Sequence, residues 1–174
     1  MKKLKSKDQY IRSCYFRGMV LNAFISLENE LSSCLAEFFC GENDHYWKFM
    51  GVIGDRMTFE AKRASLKFLM EQIEVKEGFI KTKSNRYKCS DFLNELRILI
   101  DERNKFAHYY CYKMKGQEAY AIVLTDFRDR YAEHFYTDDD IDKWVERIYR
   151  AINVISNIYM GLREEREEIN EVHE

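Results

Sequence analysis

The run Arg103-Asn104-Lys105-Phe106-Ala107-His108, with Tyr110 two places further on, collects a permanent cation, a carboxamide, an imidazole and a phenol. An arginine presents a planar fork of N–H donors that matches two oxygens of a phosphate. A histidine can both take and give a proton near neutrality. Cleavage of an RNA phosphodiester needs a base for the 2′-hydroxyl, an acid for the departing 5′-oxygen and positive charge on the non-bridging oxygens. Arg103 and His108 are the expected catalytic pair, working with no metal and no cofactor. Asn104 lies one helical turn before His108, where its amide is expected to hold the imidazole in one tautomer. Tyr110 is a supporting residue, suited to bonding a phosphate or stacking a base. Taken singly, each has a plainer use: a histidine at a helix end caps carbonyls, and tyrosines pack. The combination is what points to chemistry.

These residues sit on an element that has to be a helix. Ser90 is an N-cap residue with Asp91 in the first turn, and the apolar stripe that follows is Phe92, Leu96, Leu99, Phe106, with Arg103 falling on it. An unpaired charge on an inward face costs several kcal/mol, so Arg103 needs an anion. The internal candidate is Glu28, which extends the row Cys14, Gly18, Leu21, Ile25 of the first helix; the external candidate is a bound phosphate. One geometric condition follows. A spacing of five residues leaves Arg103 and His108 about 140° apart around a regular helix. The arginine's reach, a distortion at the helix end, or a symmetric second copy must close that gap. Lys105 is a weaker candidate for backbone contact with RNA, as are Lys113 and Lys115.

The remaining elements follow from periodicity. Val20, Phe24, Leu27, Leu31, Cys34/Leu35 and Phe38 recur at three-and-four spacing, predicting a helix from about Asp8 to Cys40 with Gly41 as its C-terminal cap. A short helix or compact turn is expected over Tyr46–Met57. Thr58 opens the next helix, with Phe59, Leu66, Leu69, Met70 and Ile73 inward, and Glu74–Lys88 reads as a loop. After His108 two short runs, Ala119–Thr125 and Tyr131–Tyr136, predict a hairpin. Thr137 followed by Asp138, Asp139 and Asp140 starts a last helix whose stripe is Ile141, Trp144/Val145, Ile148, Ile152, Ile155, Tyr159 and Leu162. Its tail, Arg163–Glu174, reads as a solvated end. The expected fold is all-α: an antiparallel four- to five-helix bundle with a small inserted β-hairpin, forming a single domain over residues 1–174.

Composition sets the outer bounds. No proline and only seven glycines favour long helices, and 46% hydrophobic with 33% charged residues is ordinary for a folded chain. A net charge of −2 gives no overall attraction for a polyanion, so RNA has to be met locally. The five cysteines, Cys14, Cys34, Cys40, Cys89 and Cys111, carry no Cys-x-x-Cys pair and read as small core residues in a reducing compartment. No apolar run approaches the roughly 20 residues that span a bilayer. The lysine-rich start Met1–Lys7 leads into an amphipathic stretch rather than a signal-peptide core, so a cytoplasmic location is expected.

The motif resembles that of the HEPN superfamily, an arginine with a polar neighbour followed after four to six residues by a histidine. The form with a tyrosine two places after the histidine, here Tyr110, looks like the toxin members of prokaryotic HEPN/nucleotidyltransferase pairs. The resemblance implies a helical bundle that dimerises with both motifs lining one cleft. It also implies metal-independent endoribonuclease activity on an RNA substrate and a nucleotidyltransferase-type antitoxin as partner. Toxin or phage-defence work goes with it. The alternative it leaves open is a non-catalytic HEPN-like module that binds RNA or a nucleotide, or only dimerises.

Overall fold

The structure, a computed structural model, describes residues 6–41, 44–82, 85–111, 119–129 and 131–173. Lys113, Lys115 and residues 1–5 of the lysine-rich start lie outside the described residues. The described chain is mostly helical: α1 (Ser6–Cys40), α2 (Asp44–Val52), a 3-10 turn (Gly54–Arg56), α3 (Phe59–Lys76), α4 (Ser90–His108) and α5 (Asp138–His173). Three short strands stand between α4 and α5: β1 (Tyr110–Cys111), β2 (Ile122–Asp126) and β3 (Ala132–Tyr136).

Local chemistry sets the helix ends. Gly41 takes φ +65° and donates its N–H to the Glu37 carbonyl at 2.9 Å, closing α1 in the left-handed conformation that glycine adopts without strain. Thr58 starts α3 by accepting from the Ala61 N–H at 3.1 Å. Thr137 and Asp140 start α5 reciprocally. The Thr137 N–H donates to the Asp140 carboxylate at 2.9 Å, and the Asp140 N–H donates back to the Thr137 hydroxyl at 3.2 Å. The start of α4 departs from expectation. The two residues that lead into it are held by Glu74, a buried residue near the end of α3, whose carboxylate accepts from the N–H groups of Lys88 at 2.8 Å and Cys89 at 2.7 Å. Glu74 therefore belongs to the core, not to a loop. Burial by itself raises its carboxyl, but the Cys89 and Lys88 N–H groups outweigh this and hold it below the usual glutamate range.

The chain divides into two compact units, one of Met1–Ile25 with Asp101–Tyr149, the other of Ser26–Ile100 with Arg150–Glu174. In the first, Val20, Phe24, Phe106, Ile122, Leu124, Ile141 and Ile148 are fully or almost fully buried. Its sheet is antiparallel in the order β1-β2-β3, with Tyr110 opposite Thr125 and Ile122 opposite Tyr136. The segment expected as a two-stranded hairpin is thus three-stranded, because Tyr110 and Cys111 pair along the free edge of β2. As the central strand, β2 is buried on both sides, which is why Ala121-Ile122-Val123-Leu124 runs apolar without alternation.

In the second unit Leu27, Leu31, Leu35, Leu66, Leu69, Leu96, Leu99 and Ile155 form the buried set. Lys62, almost fully buried, pairs with Glu28 at 3.1 Å. The tail of α5 is more than a solvated end. Arg166 donates to the Glu37 carbonyl at 2.9 Å, and Lys76 pairs with Glu165. Among the described residues no helix is long and apolar enough to cross a membrane.

Candidate active site

The first compact unit places α1 against the end of α4. Arg17 donates from Nε to the Phe106 carbonyl at 2.7 Å and from Nη2 to the Ala107 carbonyl at 3.0 Å. Those carbonyls are among the last four of α4, which have no partner inside the helix and carry the negative end of its dipole. A guanidinium there caps the helix from outside. One turn earlier, the Ser13 hydroxyl donates to the Ala121 carbonyl at 2.9 Å, tying α1 to the segment entering β2.

Tyr10, Cys14 and Arg17 lie at i, i+4 and i+7 on α1 and form one wall of an open cavity of about 380 Å³. The other wall is His108, Tyr109, Tyr110 and Cys111. His108 is the last residue of α4 and is exposed, as is Tyr110. The Tyr10 hydroxyl is raised above the usual phenol range, first by its hydrogen bond with Cys14 and then by its electrostatic interaction with that side chain. Tyr109 is raised as well, first by burial and then by its hydrogen bond to Asp126, whose own carboxylate is lowered chiefly by the Arg128 N–H at 2.9 Å. An imidazole, phenols, thiols and a guanidinium therefore border one solvent-open space. Such a set can exchange protons with a ligand and neutralise an anion.

A scan against models of known families gives no match, and neither a curated protein nor a solved structure matches the chain.

The motif residues divide between this cavity and its surroundings. His108 and Tyr110 line it; Arg103 and Asn104 do not. Arg103 is half-buried and donates from Nη1 to the Asn104 carboxamide oxygen at 3.4 Å, a long contact. Asn104 thus meets the arginine rather than the expected imidazole. The helix stays regular to its end, since the Tyr109 N–H still bonds the Lys105 carbonyl at 3.0 Å. A distortion that swings His108 toward Arg103 is absent.

Glu28, the internal candidate for an anion, lies in the second unit, where it accepts from Lys62 at 3.1 Å. The charge that goes inside on α4 is Glu102, next to Arg103 in the chain and 4% exposed. It receives a hydrogen bond from the Tyr136 hydroxyl and pairs with Lys105 at 2.9 Å, so Lys105 spends its charge within the fold. Burial first, then Glu102, pushes the Tyr136 hydroxyl far up. Positions 102 and 103 flank the Leu99–Phe106 line by about 50° on either side. Periodicity alone does not separate them.

Sequence reasoning missed Arg17, Tyr10, Cys14 and Cys111 as cavity residues. Cys14 was expected in the core but is exposed, and Cys111 is half-buried, whereas Cys34 and Cys89 are buried as expected. Tyr10, Cys14 and Arg17 do share one helix face, the only sequence-level signal available for them. Among the described residues no group of three or more His, Cys, Asp or Glu side chains is placed to hold a metal ion.

Proposed function

We propose that the chain is a HEPN-type endoribonuclease that cleaves RNA phosphodiesters without a metal, its helices arranged as an antiparallel bundle. The observation that carries this reading is the exposed His108 at the end of α4, set in an open cavity with Arg17 and Tyr110. His108 performs proton transfer, Tyr110 supports the phosphate, and cationic charge comes from arginine. Because α4 is regular through His108, Arg103 and His108 of one chain stay about 140° apart. A homodimer answers this by letting Arg103 of one copy serve the cleft that holds His108 of the other. The resemblance further suggests a cytoplasmic toxin or phage-defence effector held in check by a nucleotidyltransferase-type antitoxin.

A second reading is favoured by one finding, that Arg103 does not line the cavity: a HEPN-like module that binds RNA or a nucleotide, or dimerises, without cleaving. Incubating the purified protein with RNA in chelator separates the two. Cleavage supports the first reading. Saturable binding that Arg17→Ala removes, with the RNA left intact, supports the second.

A further inference from the structure

Beyond the cavity, the first compact unit exposes a row of aromatic rings that its core does not use. Tyr110 is 65% exposed, Phe127 47% and Tyr131 67%. Their centroids are 4.7 Å apart from Tyr110 to Phe127 and 5.1 Å from Phe127 to Tyr131. The order follows from the sheet: Tyr110 pairs with Thr125 on β2, Phe127 follows the end of that strand, and Tyr131 immediately precedes β3. Tyr131 holds φ 63°, a left-handed conformation that disfavours any side chain but glycine or a small polar one. A bulky ring is kept at a strained position on the surface, where it contributes little burial.

Tyr110 belongs both to this row and to the wall that holds His108. The row therefore leads out of the cavity. Beside it stands Arg128, its side chain 81% exposed and held at 3.5 Å by Asp126. Exposed rings with a nearby guanidinium form a surface on which unpaired bases stack, and stacking does not depend on an overall basic charge, which this chain lacks. A duplex hides its base faces and gains nothing from such a surface.

We propose that Tyr110, Phe127 and Tyr131 form a stacking platform for unpaired bases, making single-stranded RNA the substrate class, with the strand running from the platform into the His108 cavity. This rests on the ribonuclease reading for its substrate, but not for its test. The probe is a short, labelled single-stranded 2′-O-methyl oligoribonucleotide, measured by fluorescence anisotropy beside the same sequence annealed as a duplex. Lacking a 2′-hydroxyl, the probe reports binding whether or not the protein cleaves RNA.

The single strand should bind more tightly than the duplex. Phe127→Leu and Tyr131→Leu, which keep apolar bulk but lose the ring, should each weaken it roughly tenfold. Phe127→Tyr should restore binding, and circular dichroism should report the same helix content throughout. Equal affinity for strand and duplex overturns the proposal. So does unchanged single-strand affinity in the folded leucine variants, including the case in which those variants instead shift the monomer–dimer balance and assign the rings to a protein interface.

Discussion

Arg17 Nε lies 2.7 Å from the Phe106 carbonyl oxygen, so a cation from α1 closes the helix that ends in His108. The same arginine walls the cavity beside that histidine. One side chain therefore has two duties. Removing it as Arg17→Met should cost about 1–3 kcal/mol of stability, the range for hydrogen bonds from a charged donor to partly buried acceptors. Urea unfolding checks this. RNA cleavage should fall more steeply than the folded fraction does, and a loss of activity no greater than the loss of folded protein would reduce Arg17 to a cap.

Thr125 offers a change in the opposite direction. Its hydroxyl is buried at the centre of the sheet and has no hydrogen-bond partner among the described residues. Thr125→Val keeps the shape and removes a desolvated polar atom, so stability should stay level or rise by up to about 1 kcal/mol. Thr125→Ala should lower it, because packing is lost with no gain beyond that of valine. A shift of the thermal midpoint in each variant reads the difference.

Gly41 combines a left-handed φ with a close neighbour. A β-carbon there would collide with the guanidinium of Arg166, the residue that bonds the Glu37 carbonyl. Gly41→Ala should therefore cost about 1–3 kcal/mol, chiefly from backbone strain at its positive φ, with a smaller part from moving the Arg166 side chain off the Glu37 carbonyl. Adding Arg166→Ala should make the glycine substitution less harmful than it is alone, a non-additivity that a double-mutant cycle measures.

Acid should unfold the protein partly through Glu74 and Asp140. Asp140 is lowered by the Thr137 N–H first and by the Thr137 hydroxyl next. Both folded-state values thus lie below their unfolded ones, and each group's contribution is complete above the unfolded pKa, about 4 for these carboxyls. It is lost as pH falls below that value and through the folded pKa. Glu74→Gln should flatten the stability–pH curve in that acidic window while lowering stability at neutrality. A mutant curve parallel to wild type across the window would contradict this.

Much of the helical frame was legible because its signals are local. Val20, Leu27, Leu31 and Leu35 declare an inward face by spacing, and Gly41, Thr58 and Thr137 mark ends through chemistry within a few residues of themselves. The departures are long-range. Glu74 looks like a loop carboxylate until it meets Lys88 and Cys89, and the sheet gains its third strand only because Tyr110 reaches Thr125. Of the residues lining the cavity, the motif names His108 and Tyr110. It does not name Arg17, whose carbonyl partners lie about ninety residues away in the chain. The inward charge on α4 was misassigned by one residue, Arg103 for Glu102, because a hundred-degree repeat puts both at the margin of the apolar face.

His108 carries the proton transfer in the proposed cleavage. Wild-type protein and His108→Ala, matched for helix content and oligomeric state, should be incubated with RNA in chelator and the products read for new 5′-hydroxyl ends. Such ends should appear with wild type and vanish with His108→Ala. Equal cleavage by the folded His108→Ala variant would contradict the assignment.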